Sequence, residues 1–148
     1  MLAYWLTELG QKNIVGLEKS SVIPSDIAST AHASDFVYNT THDKLGCWTT
    51  AFSRKFYEDN GFFLKKGGLE ICRKDDEARW EELKRKVSSG KAFGSNVKLI
   101  SAAEAKEKFP LLEEDSMQGA MWDPDAGLVI PRSQDVVSFA VESAKEKG

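Results

Sequence analysis

The chain has 148 residues, 41% of them hydrophobic and 29% charged, the balance of an ordinary globular domain rather than a disordered one. Its formal charge of -3 carries no run of Lys or Arg, which argues against nucleic acid or an anionic membrane as the main partner. No apolar stretch approaches the roughly 20 residues of a membrane helix, and the N-terminus lacks a basic segment followed by an apolar core. The expected location is therefore cytoplasmic, with the mitochondrial matrix as the alternative for a eukaryotic source. Cys47 and Cys72 are far apart and form no CxxC pair, so they read as reduced thiols, and no metal site is expected.

Leu2, Trp5, Leu6 and Leu9 recur at helical spacing, with Gly10 as the stop. Ile14-Val15-Gly16-Leu17 then reads as a short strand closed by Glu18-Lys19. An acid ending such a strand is where a dinucleotide fold places its ribose ligand, and the partner glycine turn belongs about 20 residues earlier. Counting back from Glu18 runs off the start of the chain, so the sequence is expected to open inside the helix that this turn introduces. The plainer alternative for Glu18 is a surface acid at a strand end.

Residues 20 to 40 carry Pro24 and several Ser and Thr, and read as a loop. Leu45, Trp48, Phe52 and Phe56 predict an amphipathic helix over 41–58, with the aromatic stripe in the core. His42, just before it, reads as a cap or surface residue. Phe62-Phe63-Leu64 and Leu69-Glu70-Ile71-Cys72 flank Lys65-Lys66-Gly67-Gly68, a hairpin signal in which the glycines permit a tight turn.

Asp75 can cap a helix reaching about Phe93, with Trp80, Leu83 and Val87 buried and Glu81–Arg85 and Glu82–Lys86 as exposed pairs. Val97 to Ile100 predicts a strand, and Ser101 to Glu104 a capping box that opens a helix stopped by Pro110. Glu113-Glu114-Asp115 reads as a solvated loop. Met117 to Trp122 and Leu128 to Ile130 read as strands around Asp123-Pro124-Asp125-Ala126-Gly127. A last helix follows Pro131, with Val136, Phe139, Ala140 and Ala144 inward. The alternation predicts a mixed α/β fold, its middle a strand layer covered on one face by helices, with both chain ends inside repeating units.

Val15-Gly16-Leu17-Glu18-Lys19, Ser29-Thr30-Ala31-His32-Ala33, Gly67-Gly68-Leu69, Phe109-Pro110-Leu111-Leu112 and Asp125-Ala126-Gly127-Leu128-Val129 occur in the order and spacing of one family. Across essentially the whole chain the sequence resembles the flavin-dependent amine oxidoreductases of the D-amino acid oxidase superfamily, most closely the dimethylglycine and sarcosine dehydrogenase branch. The resemblance implies an incomplete Rossmann-like FAD-binding region over 1–40, part of an antiparallel-sheet substrate domain over 41–130, and a helix returning to the FAD domain over 131–148. It implies FAD as cofactor and, in complete relatives, an N-methyl amino acid substrate oxidised by hydride transfer to flavin.

By the same resemblance Glu18 binds the adenosine ribose hydroxyls, with Lys19 beside it, because a carboxylate offers acceptors to two vicinal donors. The family segment GSTxHAxG passes under the flavin. Here it reads Ala28-Ser29-Thr30-Ala31-His32-Ala33-Ser34-Asp35, with Ala28 and Asp35 in place of glycines. The dehydrogenases bond the histidine of this segment to the 8α carbon of the flavin ring, which makes His32 the candidate attachment point; the alternative is a loop histidine with no ligand. No catalytic residue of the family maps onto the chain. A rival reading from another class is a non-catalytic remnant or interaction module without a competent cofactor site; a third is an incomplete gene model.

Overall fold

Aromatic and small side chains at helical spacing near the two ends of the sequence build the first of two units in the computed structural model, which describes residues 1–148. This unit comprises Met1–Asp35 and Val129–Gly148, and the second comprises Phe36–Leu128. In the first, α1 (Leu2–Glu8) packs along α5 (Ser133–Lys147), with the Tyr4 and Phe139 rings 6.0 Å apart and Lys147 paired to Glu8. Val136 and Ala140 are buried and Phe139 and Ala144 half-buried, as the helical period of α5 requires.

The expected strand at Ile14 to Leu17 is not formed. No strand pairs with the segment, so it joins no sheet, and Val15 and Leu17 are 82% and 94% exposed. A strand exists by virtue of a neighbour that takes up its N–H and C=O groups, and apolar content alone does not provide one.

The second unit holds two three-stranded sheets. One has the order β1 (Phe36–Val37), β6 (Gly127–Val129), β2 (Phe63–Lys65). The other is fully antiparallel, with β5 (Met117–Asp123) between β3 (Gly68–Arg73) and β4 (Lys98–Ser101). The hairpin expected at 62–72 is therefore absent, since β2 and β3 enter different sheets. Gly67, at φ +77°, bends the chain between them, and the N–H groups of Lys66 and Gly67 both donate to the Ala126 carbonyl, at 3.3 and 2.8 Å. The indole of Trp122 lies where a Cβ on Gly67 would stand, so the glycine answers packing as well as the dihedral.

Helix α3 (Glu77–Ala92), capped by Asp76 rather than Asp75, buries Leu83 and Val87 against Cys72, Val97 and Met121, with Trp80 packed beside them. Helix α4 (Ala102–Lys108) starts at the expected capping box of Ser101 and Glu104, and Ala105 packs with Ile100, Met117 and Ala120. Met121 and Ala120 alternate along β5, so the two helices cover opposite faces, not one. Gly119 makes the α3 side possible, because a Cβ there would stand 2.7 Å from the Ile100 carbonyl oxygen and 2.9 Å from the Trp80 ring.

Two further expectations change. Helix α2 (Lys44–Asp59), capped by Asp43, buries Cys47 and Phe56, whereas Trp48 is 61% exposed and stacks on the exposed Phe52 at 5.5 Å. The periodicity located an apolar stripe, but the helix packs through an adjacent face. On α3, Glu81 pairs with Lys84, Arg79 reaches Glu82 at 2.6 Å, and Lys86 reaches Glu70 on β3 at 2.6 Å, in place of the two i,i+4 pairs. For Lys86, a strand carboxylate beside the helix outcompetes a partner along it. His42 is a surface residue, its Nε2 3.2 Å from Glu82, and both cysteines are buried free thiols.

Candidate cofactor-binding site

Glu18 follows the unpaired 14–17 segment and lines a cavity of about 540 Å³ with Ala3, Thr7, Ile14, Val141 and Ala144. One of its carboxylate oxygens accepts the Ser20 N–H at 2.9 Å. That backbone hydrogen bond holds the Glu18 carboxyl below the ordinary carboxylate range, so it is an anion at neutral pH with acceptor capacity left on its second oxygen. Lys19 is exposed beside it.

From Glu18 a relay of serines leads towards the next predicted segment. The Ser20 hydroxyl donates to Ser25 Oγ at 2.8 Å, Ser25 Oγ accepts the Ile27 N–H at 3.3 Å, and the Ser25 carbonyl accepts the Ala28 N–H at 3.2 Å. Ser25 is buried, and nothing in its composition or spacing set it apart from neighbouring loop serines. Ser29–His32 forms one 3-10 turn, closed by the Ala31 N–H on the Ala28 carbonyl and the Ala33 N–H on the Thr30 carbonyl, at 3.0 and 3.3 Å. Ala28, Ser29, His32, Ala33 and Ser34 are exposed, while Thr30 and Ala31 are half-buried. The segment thus presents a surface of small side chains with one imidazole.

Asp35 ends this segment in the left-handed region, at φ +59°. Few residues other than glycine adopt that conformation, and Asp is among them. Its carboxylate accepts the Ser133 N–H at 3.0 Å and the Ser133 hydroxyl, so its charge is taken up at the start of α5. Sequence reasoning registered the Asp in a glycine position but missed this partner, which lies 98 residues away.

The residues present fit the two ends of FAD. Glu18 offers an ionised acceptor at a cavity rim for ribose hydroxyls, and the exposed 28–34 surface leaves room for a flat ring to approach. They offer no counterpart for the pyrophosphate, which is held by backbone donors at a glycine-rich helix start. Helix α1 has seven residues, and no side chain caps its Met1 end. No three His, Cys, Asp or Glu side chains are grouped to hold a metal ion.

An α5 and α1 pair, a loop ending in a left-handed Asp, and an attached antiparallel-sheet unit define a mixed α/β architecture. The family model described as FAD dependent oxidoreductase (DAO) matches residues 1–148, and the chain belongs to that family, whose members are FAD-dependent. Human mitochondrial sarcosine dehydrogenase is 28% identical over 136 residues, 86% of this chain. The mouse mitochondrial pyruvate dehydrogenase phosphatase regulatory subunit is 26% identical over 154 residues, 99% of this chain. The chain spans 14% and 17% of the lengths of these relatives. Among solved structures, L-proline dehydrogenase from P. horikoshii superposes with a TM-score of 0.76 at 25% identity, covering 99% of this chain and 38% of that one. Glycine oxidase from Bacillus cereus ATCC 14579, at 21% identity, shares the fold with a TM-score of 0.75 over 99% of this chain and 40% of its own.

Proposed function

We propose that these residues form part of an FAD-dependent amine oxidoreductase that oxidises an N-methyl amino acid, as in the sarcosine and dimethylglycine dehydrogenases. In this reading residues 1–40 belong to the FAD-binding region, 41–130 to the substrate region, and 131–148 to the helix returning to the FAD region. FAD, when bound, supplies the hydride acceptor. Glu18 holds the ribose hydroxyls with Lys19 beside it, Ala28 to Ser34 lie under the ring, and His32 is its covalent attachment point. The observation that carries the reading is the exposed turn Ser29–His32 joined through Ser25 to an ionised Glu18, within a family match spanning the chain.

The test is to purify the chain with excess FAD and read visible absorbance and intact mass. The 148 residues alone should retain little flavin, because no phosphate cradle is among them. A version extended by a GxGxxG strand and the remaining flavin-domain half should be yellow and keep its flavin through denaturation, and His32→Ala should release it. Acid-stable flavin in the His32→Ala protein would refute the attachment.

A second reading is a non-catalytic regulatory or interaction module. It draws support from the match to a protein described as a phosphatase regulatory subunit, over 99% of this chain. An extended protein that folds yet binds no FAD would favour it. Two relatives are mitochondrial proteins, which supports that compartment for a eukaryotic source.

A further inference from the structure

The segment proposed to face the flavin is fastened to residues 129–133 at three places, two of them at the start of α5. The Asp35 carboxylate accepts the Ser133 N–H at 3.0 Å and its hydroxyl, the Asp35 carbonyl accepts the Val129 N–H at 2.7 Å, and Arg132 Nη2 reaches the Ala31 carbonyl at 3.4 Å. In the first, one carboxylate takes two donors at once. It also answers a need of the helix, since the Ser133 N–H precedes the first bond of α5, which the Asp135 N–H makes to the Arg132 carbonyl, and the N-cap Arg132 makes no side-chain cap bond. An acid from outside the helix thus does what an N-cap side chain normally does.

We infer that Asp35 is a positioning residue for the His32 segment: its carboxylate ties residues 29–35 to the first turn of α5, so that the turn bearing His32 is held in one conformation before a cofactor arrives. The inference deepens the flavin reading and rests on it for its purpose, but its mechanics are those of the chain alone. A glycine here would adopt the same dihedral freely and make no bond to Ser133, leaving the turn attached by the Val129–Asp35 backbone bond and the long, exposed Arg132–Ala31 bond. The Asp therefore exchanges conformational freedom under the proposed ring for order.

The test compares Asp35→Asn, Asp35→Gly and Asp35→Ala in the 148-residue chain without cofactor, by amide hydrogen exchange and by NMR of the His32 ring. Asp35→Asn keeps an acceptor and tolerates the left-handed backbone; Asp35→Gly keeps the backbone and removes the acceptor; Asp35→Ala removes both. Exchange of amides in 29–34 should quicken roughly tenfold in the Gly and Ala variants, with the Asn variant close to the parent, as for loss of a charge-assisted hydrogen bond. The His32 ring should give one set of signals in the parent and Asn proteins and a broadened or shifted set in the Gly variant. Parent-like behaviour of Asp35→Gly, or a change confined to Ser133 and its helical turn, would overturn the inference. Should Asp35→Ala fail to fold, the Gly and Asn pair decides alone. Failure of the flavin reading leaves these cofactor-free readouts untouched, so the two cannot be confused.

Discussion

One oxygen of the buried Asp123 carboxylate accepts the Thr40 hydroxyl at 2.9 Å and, from the preceding residue, the Asn39 N–H at 3.1 Å, while its other oxygen accepts the Asp125 N–H at 3.1 Å. At 1% exposure this acid has no cation beside it and depends on those donors for its solvation. Asp123→Ala strands three donors and should cost about 3 kcal/mol, and Asp123→Asn less, since the amide retains one acceptor. Urea unfolding of the two variants checks the order.

Gly119→Ala should lower stability by about 1–3 kcal/mol, because the added methyl must displace either the Ile100 carbonyl or the Trp80 ring. Trp80→Leu in the same background should recover part of the loss if the ring is the obstacle. Thermal melts of the single and double variants measure this.

Glu70 accepts Lys86 at 2.6 Å and also pairs with Arg79, and the Glu70 and Lys86 side chains are 11% and 12% exposed. Glu70→Ala leaves a shielded ammonium without its partner and should cost about 2 kcal/mol, less than a fully buried pair would. The loss should change little between low and moderate salt, unlike that from removing the exposed Asp59 that pairs with Lys55. Denaturation at two ionic strengths distinguishes them.

The Glu18 carboxyl titrates below its unfolded value because the Ser20 N–H favours the anion. Its contribution to loop order is therefore fully present above the unfolded value and is lost as pH falls through the lower folded value. The Ser20 amide resonance should follow this titration with a midpoint below that of an unperturbed glutamate, and Glu18→Gln should flatten it.

Helix positions were readable where local chemistry closes on itself. The Ser101–Glu104 box and the Trp80, Leu83, Val87 stripe needed no knowledge of the rest of the chain. The larger misreadings share one cause, which is that the deciding partner is remote. Gly67 and Gly68 look like a hairpin turn until Ala126 takes the Lys66 and Gly67 N–H groups. Trp48 looks like core because spacing reveals a stripe without revealing what lies opposite. In the candidate site, motif order singled out Glu18 and His32 as candidates, whereas the Ser25 relay and the Asp35 tie to Ser133 depend on contacts that no spacing rule encodes.

The chain leaves the first unit at Asp35 and re-enters at Val129, and there the Val129 N–H donates to the Asp35 carbonyl; one step further, Phe36 and Leu128 are cross-strand partners. Exit and entry are therefore neighbours, and the 93 residues of Phe36–Leu128 behave topologically as a cassette inserted at one point of the first unit. A connector of a few residues could close either piece upon itself. Insertions or deletions within the cassette alter its own surface while the register at this doorway stays fixed, so such a fold can vary its cassette between relatives without rebuilding the unit that hosts it.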